Sequence, residues 1–127
     1  MKGIRDKIES DRSDAELLSR AIARIAEFWG LSNAKLGAIL GLSPATASRL
    51  KGGKSLLDPA SKSFEAGQFL LRLFRSLDAI MGSDDGASRR WLATPNLDLN
   101  ARPIDLIDSF KGLLGVCDYV DAQRARV

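Results

Sequence analysis

The sequence predicts an all-α fold: an N-terminal bundle of short helices, then one long helix, then a small helical C-terminal domain. Three observations carry this reading. Apolar residues recur at helical spacing, as at Leu18, Ile22, Ile25 and Trp29. Glycines, prolines and capping residues cut the pattern into helix-length pieces, and no stretch alternates apolar and polar residues as a half-buried strand does. The 127 residues, 45% of them hydrophobic, are enough for one core or two small ones.

The elements follow in order. Residues 1–12, MKGIRDKIESDR, read as a charged N-terminal extension. Ser13 or Asp14 can cap the first helix, whose 4, 3, 4 apolar spacing marks one buried face, and Gly30 ends it. Ser32 to Leu40 and Pro44 to Lys51 are two short helices separated by Gly41-Leu42-Ser43, and Gly52-Gly53 stops the second. Asp58-Pro59 is expected to open the longest helix, with proline in its tolerated first turn, and Gly82 follows its last residue, Met81. Phe69, Leu70, Leu71, Leu73, Phe74, Leu77, Ile80 and Met81 cover more than one stripe of it, which predicts burial on two sides and leaves Lys62, Glu65, Arg72 and Arg75 to solvent.

The remainder is shorter pieces. Ser83-Asp84-Asp85-Gly86 is a turn with capping carboxylates, and Ala87 to Ala93, carrying Trp91, is a helical turn or two. Thr94-Pro95-Asn96 and Asn100-Ala101-Arg102-Pro103 are breaks, and Pro103 can start a helix with Ile104, Ile107 and Phe110 on one face. Gly112 and Gly115 are expected to punctuate, with a last helix from Leu114 to Arg124. These pieces divide the chain into the extension 1–12, a domain 13–57 and a domain 58–127.

The residue counts exclude several chemistries. The chain contains no histidine and one cysteine, Cys117. There is therefore no Ser-His or Cys-His pair, no His-containing zinc site, no internal disulfide and no Cys-x-x-Cys clip. No phosphate loop, nucleophile elbow or paired-carboxylate motif is legible, so neither catalysis nor a cofactor or metal is expected. A charged N-terminus and the lack of any run near the roughly 18 apolar residues of a membrane span predict a soluble, cytoplasmic protein.

The net charge of +3 is unevenly placed. Residues 1–57 hold ten basic and six acidic side chains, and residues 58–127 hold nine and ten. Within Asn33 to Lys54, the basic Lys35, Arg49, Lys51 and Lys54 occur with no acidic residue. This window, NAKLGAILGLSPATASRLKG and its flank, has what a helix-turn-helix requires. Gly37 is the small residue where two helices approach, Leu36 and Leu40 face the core, Gly41 turns the chain, Leu42 plugs the turn, and Ala47 and Leu50 lock the second helix. Ser43, Ala45, Thr46, Ser48 and Arg49 then point outward, small, polar or basic, as a surface that can enter a major groove. Ser43 and Thr46 can meet phosphate or base edges at the helix N-terminus, and Arg49 can bind guanine O6 and N7. Lys35, Lys51 and Lys54 are phosphate-contact candidates. The alternative, an αα-hairpin in a core with a few surface lysines, sits poorly with the absence of acid. A single such unit binds modestly, so a dimer reading two half-sites roughly 34 Å apart is expected.

Further along, Arg90-Trp91-Leu92-Ala93-Thr94-Pro95-Asn96, then Leu99 through Pro103-Ile104-Asp105-Leu106-Ile107, then Lys111-Gly112 and Val116-Cys117-Asp118-Tyr119-Val120, stand in sequence. This order resembles the C-terminal toxin-binding domain of the Xre/MbcA/ParS antitoxins. With the helix-turn-helix and the long helix, the resemblance extends from about Leu17 to Gln123. On its own chemistry the motif reads as scaffold: Trp91 and Leu92 bury a helical turn, Pro95 and Asn96 stop it, and Pro103 with Asp105 starts the next helix, ahead of Gly112.

The resemblance implies an Xre-like N-terminal domain and a partner, a RES-domain toxin that consumes NAD⁺ and whose active site the antitoxin obstructs. It also implies a homodimer, within a larger hetero-oligomer, that represses its own operon by binding operator DNA. On that reading Arg124, Arg126 and the carboxylate of Val127 are the candidate plug. The alternative is a stand-alone helix-turn-helix repressor whose C-terminal domain only dimerises.

Overall fold

A heptad-like run of apolar residues governs the first helix. In the computed structural model, which describes residues 2–126, α1 spans Lys2–Trp29. The cap expected at Ser13 or Asp14 does not form, because both residues lie inside the helix. The buried face of Ala15, Leu18, Ile22, Ile25, Ala26 and Trp29 nucleates α1 against the core. Nothing between Ile4 and Arg12 breaks a helix already nucleated, and Arg12 Nε pairs with Glu16 Oε1 one turn on at 3.2 Å. Ile4 and Ile8 continue the face into solvent, each 63% exposed.

Helix α3 (Pro44–Lys51) has the predicted bounds, and α2 (Asn33–Leu40) starts one residue later than predicted because Ser32 is its cap. Each begins on a serine hydroxyl: Ser32 Oγ accepts from Lys35 N at 3.0 Å and Ser43 Oγ from Thr46 N at 3.1 Å. Between them Gly41 adopts φ +72°, the left-handed conformation that glycine takes without penalty. Gly37 is required by proximity, since a Cβ there would lie 2.5 Å from the Leu42 carbonyl oxygen.

Helix α4 spans Lys62–Met81, not from Pro59 as the sequence led us to expect. Local bonds win over helix extension here. The Asp58 carboxylate accepts from Ala60 N at 2.9 Å, the Asp58 carbonyl accepts from Ser61 N at 2.9 Å, and Ser61 Oγ then caps Phe64 N at 3.1 Å. Phe64, Ala66, Leu70, Leu73 and Leu77 are buried, and α4 packs on α1 along one side and α7 along another, the two-sided burial its breadth predicted.

Asp84 caps α5 (Asp85–Ala93) through Ala87 N at 3.0 Å. Pro103 does start a helix, but α6 (Pro103–Leu106) stops after four residues and Phe110 opens α7 (Phe110–Arg126), so Ile104, Ile107 and Phe110 do not share one helix. Ile107 is buried, whereas Phe110 lies at the surface, edge-on to Phe69. Gly112 and Gly115 break nothing: α7 runs through both. Gly112 is a contact point, because a Cβ there would lie 1.8 Å from the Leu106 carbonyl oxygen. Among the described residues no strand forms, only an isolated antiparallel bridge between Asn96 and Ala101, and none of the helices is long and apolar enough to cross a membrane.

The seam between α4 and α7 carries a polar network over its apolar floor. Arg72 Nε donates to Asp121 Oδ2 at 2.7 Å, Ser76 Oγ donates to Asp121 Oδ1 at 2.7 Å, and Asp118 adds a longer ion pair at 3.8 Å. Partial burial opposes ionisation of Asp121, but the Ser76 hydroxyl and the Arg72 guanidinium outweigh it and hold the carboxyl below its ordinary range. Below them Cys117 is buried and donates its thiol to the Phe69 carbonyl at 3.3 Å. Burial raises that thiol to about 11, which leaves it unreactive at neutral pH.

Two outcomes follow for stability. Gly112→Ala drives a methyl into the Leu106 carbonyl and is expected to destabilise the chain by roughly 1–3 kcal/mol. Gly115→Ala, with nothing within 4 Å of its added Cβ, is expected to stabilise it by about 1 kcal/mol, both read from chemical denaturation. A carboxyl held low in the fold contributes stability that is present above its unfolded pKa and lost as pH falls through the folded value. The melting-temperature gap between the wild type and Asp121→Asn should therefore be widest near neutrality and close below about pH 4. A gap unchanged down to pH 2 would count against the network.

Candidate nucleic-acid and protein interfaces

The first candidate surface is the outer face of α3. Ala47 and Leu50 are buried beneath it, as the locking positions require, while Ser43, Ala45, Ser48 and Arg49 are exposed and Thr46 is half-buried. The outward residues are linked in a row. Ser43 Oγ, already capping the helix, also donates to Thr46 Oγ1 at 3.0 Å, and Arg49 Nη2 donates to the same oxygen at 3.3 Å. The Ser43 hydroxyl is thus engaged in holding the helix start, and Arg49 is drawn along the face of α3 within reach of a groove. A base edge has only one long hydrogen bond to displace at Arg49.

The lysines divide. Lys35 Nζ donates to both oxygens of Asp108 at 3.0 Å and to the Ile104 carbonyl at 3.3 Å, tying α2 to the α6–α7 junction. Lys51 Nζ donates to the Leu31 carbonyl at 2.9 Å, tying the end of α3 to the α1–α2 connection. Lys54 is exposed just past the Gly52-Gly53 turn. Sequence reasoning grouped the three as phosphate contacts. The structure brings Lys35 and Lys51 onto intrachain acceptors, and no local pattern signals a partner such as Asp108, which lies 73 residues away.

The second candidate surface surrounds α5 and α7. Leu92 is buried in the core and Trp91 is half-buried at its edge, stacked on Tyr119 with ring centroids 6.5 Å apart. Thr94 ends α5, and the exposed Pro95 leads into a tight loop. Asn96 organises it: its Oδ1 accepts from Asp98 N at 2.9 Å and Leu99 N at 3.1 Å, and its N donates to the Ala101 carbonyl at 3.0 Å. Tyr119 OH donates to Asp98 Oδ2 at 2.7 Å. That bond keeps the phenol protonated to higher pH than usual, with the charge of Arg126 among the influences acting the other way. Pro103 is buried, and Asp105 accepts from Arg102 Nε at 2.8 Å, which lowers the Asp105 carboxyl.

Arg124 and Arg126 are exposed at the end of α7, and Val127 lies outside the described residues. Arg124 joins Gln68, Arg72 and Arg75 around an open cleft of about 340 Å³ between α7 and α4. Sequence reasoning passed over Leu97 and Asp98 and quoted Tyr119 without a role, though the close spacing of Asn96, Asp98 and Asn100 is a turn signal that could have pointed to an ordered loop. Among the described residues no three Cys, Asp or Glu side chains converge as a metal site would require.

Comparison with known families gives two matches that meet end to end. Residues 10–75 match the antitoxin Xre-like helix-turn-helix domain, and residues 76–126 match the antitoxin Xre/MbcA/ParS C-terminal toxin-binding domain. Comparison with curated proteins gives no match.

The geometry of α3 separates its cations experimentally. Arg49→Ala should weaken binding to the DNA upstream of the chain's own reading frame by roughly 1–3 kcal/mol and relax base preference at one position. Lys54→Ala should leave preference intact and reduce the salt slope by about 0.9. Lys35→Ala should leave the slope unchanged and lower the melting temperature instead. A reduced slope for Lys35→Ala with an unchanged melt would mean that DNA displaces Asp108.

Proposed function

The chain belongs to the Xre-like helix-turn-helix antitoxins, and from that premise we propose that it is the antitoxin of a type II pair whose toxin is a RES-domain enzyme consuming NAD⁺. The observation that carries this reading is the joining of a DNA-binding module directly to a toxin-binding module, with the division at residues 75 and 76 falling inside α4. A repressor that merely dimerised would need no toxin-binding module.

The division of labour we infer assigns operator reading to residues 13–57 and toxin binding and dimerisation to 58–127. Ser43, Ala45, Thr46, Ser48 and Arg49 face the groove, with Lys54 on its flank, while Lys35 and Lys51 hold the helix-turn-helix in place through Asp108 and the Leu31 carbonyl. A homodimer, in the cytoplasm and within a larger complex with the toxin, presents two copies of α3 to two half-sites and represses the operon. Neutralisation is steric: the end of α7, with Arg124 and Arg126, obstructs the toxin's cleft. Two guanidiniums can form bidentate ion pairs with carboxylates at the mouth of that cleft.

The test uses the product of the adjacent reading frame. Alone, that protein should arrest growth and consume NAD⁺; with this chain present, both effects should stop. Deleting residues 122–127 should spare the fold, since Leu113, Val116, Cys117 and Val120, which seat α7, all precede the cut. DNA binding should persist and inhibition of NAD⁺ consumption should fall. A neighbour that is harmless, or toxic but not restrained by this chain, would overturn the assignment.

A further inference from the structure

Leu97 sits at the tip of the loop between α5 and α6 and is 99% exposed. A single exposed leucine is ordinary on a protein surface. What is not ordinary is how firmly this one is held. On its N-terminal side, Asn96 is fixed by three hydrogen bonds, two accepted by its side chain and one donated by its backbone. On its C-terminal side, Asp98 is held by the Tyr119 hydroxyl, Leu99 is packed against the core, and Asn100 takes the left-handed φ of +56° that closes the loop back onto Ala101. None of these bonds buries Leu97. They fix an apolar side chain that contributes nothing to the core.

We propose that Leu97 is the anchoring knob of the toxin interface, seated in an apolar socket of the cognate toxin, with the Trp91–Tyr119 stack as the platform around it. This rests on the antitoxin reading above and adds the contact surface, which that reading leaves to the end of α7. A tip already ordered in the free chain loses little conformational freedom on binding, and Trp, Tyr and Arg are the residue types that dominate interface energetics. Here Trp91 and Tyr119 are both half-buried beside the tip, stacked on each other, with the Tyr119 hydroxyl on Asp98. Arg126 stands seven residues, two helical turns, beyond Tyr119 on the same side of α7, and Tyr119 bonds Asp98 next to the knob, so one docked partner can reach both.

The occupant follows from position and charge. Leu97, Trp91 and Tyr119 all lie within residues 76–126, the stretch matching a toxin-binding domain. The candidate DNA-facing helix α3 packs on α1 and α2, whereas the tip is built on α5 and α7. Asp98 next to the knob repels phosphate, which disfavours nucleic acid. A two-fold pairing of tips would set two Asp98 carboxylates together, which disfavours a second copy.

The test measures affinity of the full chain for the purified product of the adjacent reading frame, comparing wild type with Leu97→Ala, Leu97→Asp and Leu97→Met. Full exposure means that none of these substitutions should alter the melting temperature, the mass in solution or the affinity for DNA. Leu97→Asp should raise Kd at least about tenfold, Leu97→Ala by several-fold, and Leu97→Met should bind as the wild type does. If wild type binds and Leu97→Asp binds equally well, the knob is wrong and the antitoxin reading stands. If Leu97→Asp changes the mass in solution while leaving the toxin Kd unaltered, the tip faces a second copy and the proposal falls. If the wild-type chain does not bind that protein at all, both the knob and the antitoxin reading fall.

Discussion

The two-sided burial of α4 is the constraint on which the rest of the structure depends. On one side the helix approaches α1 closely at Gly67, where an added Cβ would stand 3.1 Å from Leu57 and 3.3 Å from Leu18. On the other it meets α7, where Phe69 takes the Cys117 thiol on its carbonyl and the Arg72–Asp121–Ser76 network closes the seam. The boundary between the two family matches falls inside this helix. The helix-turn-helix and toxin-binding matches thus share one core, with α4 common to both.

Polar ties away from α4 also join the two halves. Lys35 joins α2 to Asp108 and Ile104, and the Arg89 guanidinium lies over Gly30 at the end of α1, where an added Cβ would meet it at 2.4 Å. A cation there suits the negative end of the α1 dipole. Both residues are solvent-accessible in part, so each tie is worth little as an isolated ion pair. Their consequence is geometric: they join the helix-turn-helix to the C-terminal half at two places besides α4.

How much of this was legible in the sequence depends on the range of the forces involved. The all-α class, the bounds of α2 and α3 and the roles of Gly37, Gly41, Ala47 and Leu50 are set within a few residues, and reading them needed only spacing and turn chemistry. The start of α1 was misplaced because Ser13 and Asp14 look like caps, but an already nucleated helix does not need one. Pro59 looked like a helix start until the Asp58 and Ser61 bonds are counted. Gly112 looked like a breaker because its true neighbour, the Leu106 carbonyl, is brought near only by the turn after α6. Lys35 was legible as a cation and not as a partner of Asp108, because nothing local encodes a contact across 73 residues.

The candidate sites were legible in the same proportion: α3 almost entirely, the loop around Leu97 hardly at all. Both surfaces nevertheless rest on one device, a short polar side chain that satisfies nearby backbone groups and so fixes an exposed neighbour. Ser43 does this for α3 and Asn96 for the loop. They differ in what the exposed residue gives up on binding. Arg49 already donates to Thr46 at 3.3 Å and exchanges that bond for a base edge, so its affinity depends on which edge is offered. Leu97 makes no polar bond that must be broken, and gains whatever area a partner covers. On the roles proposed above, the first arrangement would discriminate among similar duplexes and the second would hold a partner through covered apolar area. That difference suits a chain that must choose its DNA site and keep hold of a protein.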